Sequence, residues 1–364
     1  VPYPVFPISN GGHKAIAEFL YFLSREIEVE VLTVEANEPR FAQGYQIDNS
    51  LSGSRFRYID FRLRWKIAKI IQEKAITHLM IEHPYFGWLG VWLKKATGVK
   101  LVVRSHNIEG MRWYSMGKWW WNWMRRYEQW VHRQADFSFF ITPEDEAVAR
   151  TEYHIPKTKC EVITYGTRLQ EVPSAAERAR FRAQIVDKHL GGVEKQILLF
   201  VGSFDYLPNI EALSLLANEI MPQLRQHNRK YQLLICGGHL ARAVDDLELP
   251  ECEDISYIGF VDRIEDYYLG ADIFLNPILS GGGIKTKLVE ALSYGAAAVT
   301  TTIGSTGVPD YFTGQAMIKV PDGDIDAFTH AVFNHPRHQV TQLFFQHFYW
   351  GTLADRAASA LENC

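Results

Sequence analysis

Apolar residues along the chain fall into two kinds of stretch. Short unbroken runs such as QILLFVG at 196–202 alternate with longer segments in which apolar positions recur at helical spacing. An unbroken run suits a strand buried on both faces, and the longer period suits a helix laid over it. The alternation therefore predicts βα units around parallel sheets. The pattern occurs twice. In the first half it predicts strands at 29–35, 77–83, 100–106, 137–142 and 160–164, with helices such as 15–25 and 62–74 between them. In the second half it predicts strands at 196–202, 231–237, 255–260, 272–277, 297–302 and 316–320. Residues 169–195 are polar and charged, carry Gly191 and Gly192 before the next strand, and read as a linker. The expected organisation is α/β, with two Rossmann-like domains at 1–168 and 196–342 facing across a cleft at the carboxyl ends of their strands. A terminal helix over 343–364 is expected to pack back on the first domain.

Loop signals gather at those carboxyl ends: SNGGHK (9–14), RSHNIEG (104–110), VGSFDYLPNIEA (201–212) and SGGGIKTKLVEALSYG (280–295). The last opens a helix with cations. Lys285 and Lys287 meet the positive end of the helix dipole, a cost of a few tenths of a kcal/mol each, up to about 1. An anion held there reverses the sign. Gly281, Gly282 and Gly283 let the backbone approach a ligand, free helix N–H groups bind phosphate oxygens, and lysine adds a mobile charge. Thr286 and Glu290 lie four apart on one face, so a diphosphate at the helix mouth and a ribose on Glu290 satisfy every group. A second reading needs no ligand: Lys287 and Glu290 form an i, i+3 ion pair and the glycines only turn the chain. In either case Ile284, Leu288, Ala291 and Leu292 mark the buried face. The stretch matches neither GxxxxGK[ST] nor GxGxxG.

Composition narrows the field. A chain of 364 residues, 47% hydrophobic and 22% charged, is long enough for two globular domains. A net charge of -4 argues against nucleic acid as a general partner. Cys160, Cys236, Cys252 and Cys364 are far apart and form no CxxC pair, so reduced thiols and no metal site are expected. No apolar run reaches the ~20 residues needed to span a bilayer. The first residues lack the charged and apolar regions of a signal peptide, so a cytoplasmic location is expected. Residues 111–131, MRWYSMGKWWWNWMRRYEQWV, carry two readings. Tryptophans beside Lys118, Arg125 and Arg126 suit peripheral contact with the inner face of a membrane, and equally an aromatic core helix with a basic outer face.

The order of motifs resembles glycosyltransferases of the GT-B fold, and among them the large retaining family four (glycosyl transferases group 1). The motifs are the GG loop, SHNIEG after a strand, ITYGT, VGSFDYLPNIEAL, IGFVDRIEDYYLGADIFLNP and GGGIKTKLVEALSYGAAAVTT, and they cover nearly the whole chain. The resemblance implies a hexosyltransferase-type enzyme that moves a sugar from a UDP- or GDP-sugar to a carbohydrate or lipid-linked acceptor. Retention of configuration, no cofactor, no metal and a place in polysaccharide or glycoconjugate biosynthesis are implied with it. The second domain then holds the donor and the first the acceptor.

By the same resemblance Glu290 meets the ribose, Lys285 and Thr286 face the diphosphate, and Gly259, Phe260 and Val261 meet the base. Two positions depart from the pattern. The glutamate that many members carry eight residues before the ribose one is Gly282 here. The basic pair after the first strand of the second domain is replaced by Ser203, Asp205 and Asn209, which shifts the charge to Lys285 and Lys287. In the first domain His106 is the catalytic candidate, able to hydrogen-bond a sugar hydroxyl or stabilise charge. Gly11, Gly12 and His13 form a candidate acceptor or phosphate loop, and His83 is a further candidate. Structural packing is the competing reading for each histidine. A nucleotide-sugar epimerase of the same architecture and a catalytically silent nucleotide-sugar-binding subunit are the alternative functions.

Overall fold

The computed structural model describes residues 1–8, 11–227, 229–249 and 251–364, which form two compact units. The first comprises Val1–Gly166, Gly282–Ile284 and Trp350–Cys364; the second comprises Thr167–Gly281 and Lys285–Tyr349. Among the described residues no helix is long and apolar enough to cross a membrane.

In the first unit β1 (Glu30–Val34) pairs in parallel with β2 (Gln46–Leu51). A four-stranded parallel sheet follows in the order β3 (His78–Glu82), β4 (Lys100–Ser105), β5 (Phe137–Phe140), β6 (Cys160–Val162). Leu101, Val102 and Val103 of β4 are fully buried, which is why three consecutive apolar residues are needed there. β2 has no counterpart among the predicted strands. Its sequence QIDNSL carries only Ile47 and Leu51 as large apolar residues, and its place is fixed by backbone pairing to β1, Val31 opposite Ile47. The helix Gly11–Leu23 buries Ile16, Phe19, Leu20 and Leu23 and packs against the helix Trp350–Glu362. Trp350 meets Tyr165 edge-on, 5.5 Å between ring centres. The terminal segment therefore divides, because the helix Gln342–Phe348 before it belongs to the second unit.

The second unit is a six-stranded parallel sheet built from β7 (Gln196–Val201), β8 (Tyr231–Cys236), β9 (Ile255–Gly259), β10 (Ile273–Asn276), β11 (Ala297–Thr301) and β12 (Met317–Val320). All six lie within the predicted segments. Their spatial order is β12-β11-β10-β7-β8-β9, so the chain reverses direction across the sheet between β7 and β10. That reversal leaves a crevice at the carboxyl ends of these two strands, where ligands of doubly wound sheets bind. Residues 169–195, read as a linker, hold the helix Ala175–Leu190, capped by Ser174, whose Oγ accepts from the Glu177 N–H at 3.2 Å. The helix buries Phe181, Ile185, Val186 and Leu190, and its Arg182 reaches Asp272 before β10 at 2.6 Å.

The loops after β7 and β8 touch backbone to backbone. Gly237 has φ +147°, and a Cβ there would stand 1.6 Å from the Gly202 carbonyl oxygen. Gly237→Ala is expected to lower stability by about 2 kcal/mol or more, read as a drop in the urea midpoint at unchanged slope.

Candidate functional site

The crevice of the second unit is assembled from three loops. After β7, Ser203 Oγ donates to Asp205 Oδ1 at 2.6 Å, which holds that carboxyl below its usual range, and Asn209 Nδ2 donates to the Ser203 carbonyl at 2.8 Å. After β10 comes the glycine loop. Ser280 Oγ donates to Glu211 Oε2 at 3.1 Å, tying this loop to the helix Leu207–Leu215 that follows β7. Gly281 takes φ +91°, a backbone that favours glycine, and a Cβ there would lie 2.5 Å from the hydroxyl of the exposed Tyr206 side chain. Lys285 Nζ donates to the Gly281 carbonyl at 2.8 Å and closes the loop on itself. The third loop follows β11. Its Thr301 Oγ1 donates to the Ile278 carbonyl, and the Thr306 carbonyl accepts from the Lys285 N–H at 3.4 Å. Sequence reasoning missed this brace, although Gly304 and Gly307 just after a strand are its signal.

The helix Thr286–Ser293 starts from this cradle. Its N-cap is Lys285, no side chain caps it, and its first turn has no acidic residue. The N–H groups at its mouth are thus left for a ligand or solvent. Burial pulls the Lys285 ammonium down to about 8. Burial also lowers Lys287, against the opposing pull of Glu290 and Asp205. Among the described residues Lys287 makes no hydrogen bond and no ion pair within 4.0 Å. The Lys287–Glu290 pair, which would explain these residues without a ligand, is therefore not formed. Glu290 instead accepts from the hydroxyl of fully buried Tyr268 at 3.3 Å, and Tyr268 stacks on Tyr294 with ring centres 6.0 Å apart.

Not every predicted donor residue joins this group. Gly259, with φ +80°, ends the edge strand β9, and its carbonyl accepts from Gly237 at 2.7 Å; Phe260 beside it is 76% exposed, and Val261 follows in the same loop. Gly283, like Gly281, has a positive φ, at +72°, and Gly282 between them is exposed.

In the first unit the carboxyl ends of β3 and β4 carry a buried charged network. Arg104 Nη1 donates to both oxygens of Glu82 at 3.1 Å, and its guanidinium lies 4.1 Å over the ring of Phe19. His106 Nε2 meets Glu82 Oε2 at 2.5 Å. Burial alone would raise the Glu82 carboxyl, but Arg104 and His106 outweigh it and hold it far below the usual range. Burial, aided by the neighbouring His83, brings His106 down to about 4, so the imidazole is neutral at pH 7. Since the ionised carboxylate can only accept, Nε2 carries the proton and Nδ1 is left as an acceptor.

His83 stacks on His106 with ring centres 4.3 Å apart, from a backbone at φ +63°. It joins the Tyr3 hydroxyl at 2.8 Å through Nε2 and Glu109 Oε1 at 3.2 Å through Nδ1. Tyr85 and Arg112 also donate to Glu109, at 2.7 and 3.1 Å. Burial works against the Glu109 carboxylate, yet these partners bring it down to about 2. His13 stacks on Tyr3 at 5.7 Å and is lowered by burial. Gly11 and Gly12, read as loop residues, are the first two residues of a helix, while Ser9 and Asn10 of the same motif lie outside the described residues. The sequence reading named His106 and His83 but missed Glu82, Arg104 and Glu109. The signal for Glu82 and Arg104 was present as charged residues closing otherwise apolar runs, MIEH and LVVRSH.

Comparison with known families fits this geometry. A family described as Glycosyltransferase Family 4 matches residues 9–171, and one described as Glycosyl transferases group 1 matches residues 195–335. The chain belongs to the group 1 glycosyltransferases of the GT-B fold. Solved structures of low identity show the same fold as this group 1 chain. Anabaena Alr3699/HepE in complex with UDP is 13% identical with a TM-score of 0.69, covering 100% of this chain and 98% of its own. WaaG, a glycosyltransferase involved in lipopolysaccharide biosynthesis, is 13% identical with a TM-score of 0.65 over 100% of this chain and 98% of its own. Sucrose-phosphate synthase from Thermosynechococcus elongatus is 16% identical with a TM-score of 0.64 over 97% and 89%. An uncharacterized 44.6 kDa protein in the cps region of Klebsiella pneumoniae is 28% identical over 116 residues, 30% of this chain and 30% of that relative.

Removing Glu82 from this group 1 chain would leave Arg104 buried without its counter-charge. Glu82→Gln is expected to cost about 3 to 5 kcal/mol in chemical denaturation. The stability contributed by His106 and Glu109 should be lost with acid in two stages, against the opposite contributions of Glu128 and Asp145, whose carboxyls burial raises to about 8 and about 6. Below about 6.5 the unfolded chain protonates a histidine that the folded chain keeps neutral down to about 4, and below 4.5 it protonates the counterpart of Glu109, ionised in the fold down to about 2. Denaturant midpoints measured between pH 7 and pH 3 check the sign.

Proposed function

We propose that the chain transfers a glycosyl group from a UDP- or GDP-sugar to a carbohydrate or lipid-linked acceptor, with retention and without a metal. The observation that carries this reading is the uncapped mouth of the helix Thr286–Ser293, set at the strand reversal with two half-buried lysines and Glu290 one turn along. The HepE structure with UDP supports a nucleoside diphosphate as the ligand class.

In this reading the diphosphate oxygens accept from the backbone N–H groups of Thr286 and Lys287 and from the Lys285 and Lys287 ammonium groups. Glu290, held by Tyr268, accepts from the ribose hydroxyls, and Gly259, Phe260 and Val261 border the base. Cleavage of the sugar–oxygen bond builds negative charge on the departing diphosphate, which the helix mouth and lysines stabilise. The acceptor hydroxyl forms the new bond on the same face and passes its proton to a diphosphate oxygen, so configuration is retained. Neutral His106 offers Nδ1 to a sugar hydroxyl, and His13 with Gly11 and Gly12 serves the acceptor. The site supplies its cations as lysines and calls for no cofactor. The exposed aromatic segment 111–131 favours a lipid-linked acceptor and a peripheral place at the inner face of a membrane.

Calorimetric titration with UDP and GDP tests the donor site. Lys285→Ala and Glu290→Ala should each weaken nucleotide binding about tenfold or more, and unchanged affinity in both would overturn the assignment. Affinity should also fall as pH rises through about 8, where Lys285 loses its charge, and this slope should vanish in Lys285→Ala. Product analysis with a panel of UDP- and GDP-sugars then separates transfer from epimerisation and from silent binding.

A further inference from the structure

Two segments of the first unit present large apolar side chains to solvent. Over 111–123, Met111, Tyr114, Met116, Trp119 and Trp123 are exposed, Trp119 by 86% and Trp123 by 72%. The helix Trp121–Gln134 buries Met124, Glu128, Val131 and His132 and leaves Trp123 and Trp130 outside. An aromatic core helix would do the opposite. Glu128 is inside because it accepts from the N–H groups of Glu109 and Gly110 at 3.0 and 3.1 Å and from the Tyr153 hydroxyl at 2.9 Å. Over 56–65, Phe56, Ile59, Phe61 and Trp65 are likewise exposed, Phe56 by 76%. Sequence reasoning did not single out this second segment.

The two segments are joined through aromatic contacts. Tyr58 meets Tyr85 at 5.9 Å between ring centres, and the Tyr85 hydroxyl bonds Glu109, the first residue of the helix Glu109–Ser115 that carries Met111 and Tyr114. Phe61 packs on Trp88 at 5.1 Å, and the Trp88 N–H donates to the hydroxyl of Tyr127 in the tryptophan helix at 2.9 Å. Charge follows the same face. Residues 55–66 hold five arginines and lysines against one carboxylate, and so do residues 111–134, in a chain whose net charge is -4. Of the two carboxylates, Glu128 is buried and Asp60 is bound to Arg62. Within 111–134, Arg112 and Arg125 are paired with Glu109 and Glu152, and Lys118, Arg126 and Arg133 are in no ion pair among the described residues.

We propose that this face docks on an anionic lipid bilayer, with the tryptophans and phenylalanines in the headgroup region and the cations at the lipid phosphates. Ordinary protein interfaces deplete charge from their apolar centre. A headgroup layer accepts rings and cations side by side, and long cationic side chains reach past the rings to the phosphates. The proposal deepens the lipid-linked acceptor reading, but it concerns a surface of the first unit, whereas nucleotide binding belongs to the second.

The full chain is mixed at physiological salt with vesicles of phosphatidylcholine, with or without phosphatidylglycerol. Co-sedimentation and tryptophan emission are then measured. Binding with a blue shift is expected on the anionic vesicles and much less on the neutral ones. The Trp119→Ser/Trp123→Ser pair and the Phe61→Ser/Trp65→Ser pair should each weaken it, and Arg64→Glu and Lys118→Glu should each weaken it about fivefold. UDP affinity should be unchanged in all four, and melting temperature unchanged in the Trp119→Ser/Trp123→Ser pair and in Lys118→Glu. Failure to bind anionic vesicles, or binding indifferent to both aromatic pairs, overturns the proposal. A solution dimer that the Trp119→Ser/Trp123→Ser pair dissociates, or retention on nucleic acid without vesicle binding, overturns it as well. Vesicle binding without any nucleotide binding would leave this proposal standing and remove the donor-site reading instead.

Discussion

In a parallel sheet every strand ends at the same edge, and a strand buried on both faces admits no lone ionised group along its length. Charge in such a unit is driven to that edge and has to be matched there. Glu82 and Arg104 close β3 and β4 in the interior of the first unit, each tolerable only because of the other. The pair then determines its neighbours. An ionised Glu82 accepts a hydrogen bond from the Nε2–H of His106, which fixes the tautomer, and the stacked His83 shares the burial that keeps the ring neutral. His83 in turn is held from its far side by Tyr3 and Glu109, so the chemistry at this edge descends from one buried ion pair and its hydrogen bonds.

The second unit meets the same constraint with backbone and glycine. Its strand order opens a crevice between β7 and β10, and the loops that border it lean on each other: Gly202 on Gly237, Ser280 on Glu211, Lys285 on Gly281. A loop so braced presents N–H groups in a fixed geometry before any ligand arrives, and such preorganisation lowers the cost of binding.

The strands were readable in the sequence because burial on both faces demands unbroken apolar runs, and eleven of the twelve lie where such runs occur. β2 was not readable, since QIDNSL owes its conformation to the edge of β1 rather than to its own side chains. Within the glycine loop the sequence supplied the residue types but could not choose between an ion pair and an anion site. The ion pair depended on whether Lys287 reaches Glu290, and three-dimensional placement gives Glu290 to Tyr268 instead. The tryptophan helix was ambiguous for a related reason. A pattern reading puts tryptophan inside and glutamate outside, but the N–H groups of Glu109 and Gly110 required an acceptor and drew Glu128 into the interior.

Arg104 and Lys287 are cations in opposite surroundings. Arg104 is fully buried, and Glu82 supplies its counter-charge at 3.1 Å through Nη1, although Nε and Nη2 have no hydrogen-bond partner among the described residues. Lys287 is drawn out of water by its surroundings, enough to lower its ammonium, yet among the described residues no carboxylate comes within ion-pair distance. Desolvation without a partner is a standing cost of the folded state, and packing alone gives no reason for a chain to retain it. An arriving dianion would change the sign of that cost. The same partial burial that penalises the empty site strengthens the attraction once phosphate is present, because fewer waters screen it. In the proposed donor site, the lysine beside an uncapped helix is half of an interaction whose other half is the diphosphate.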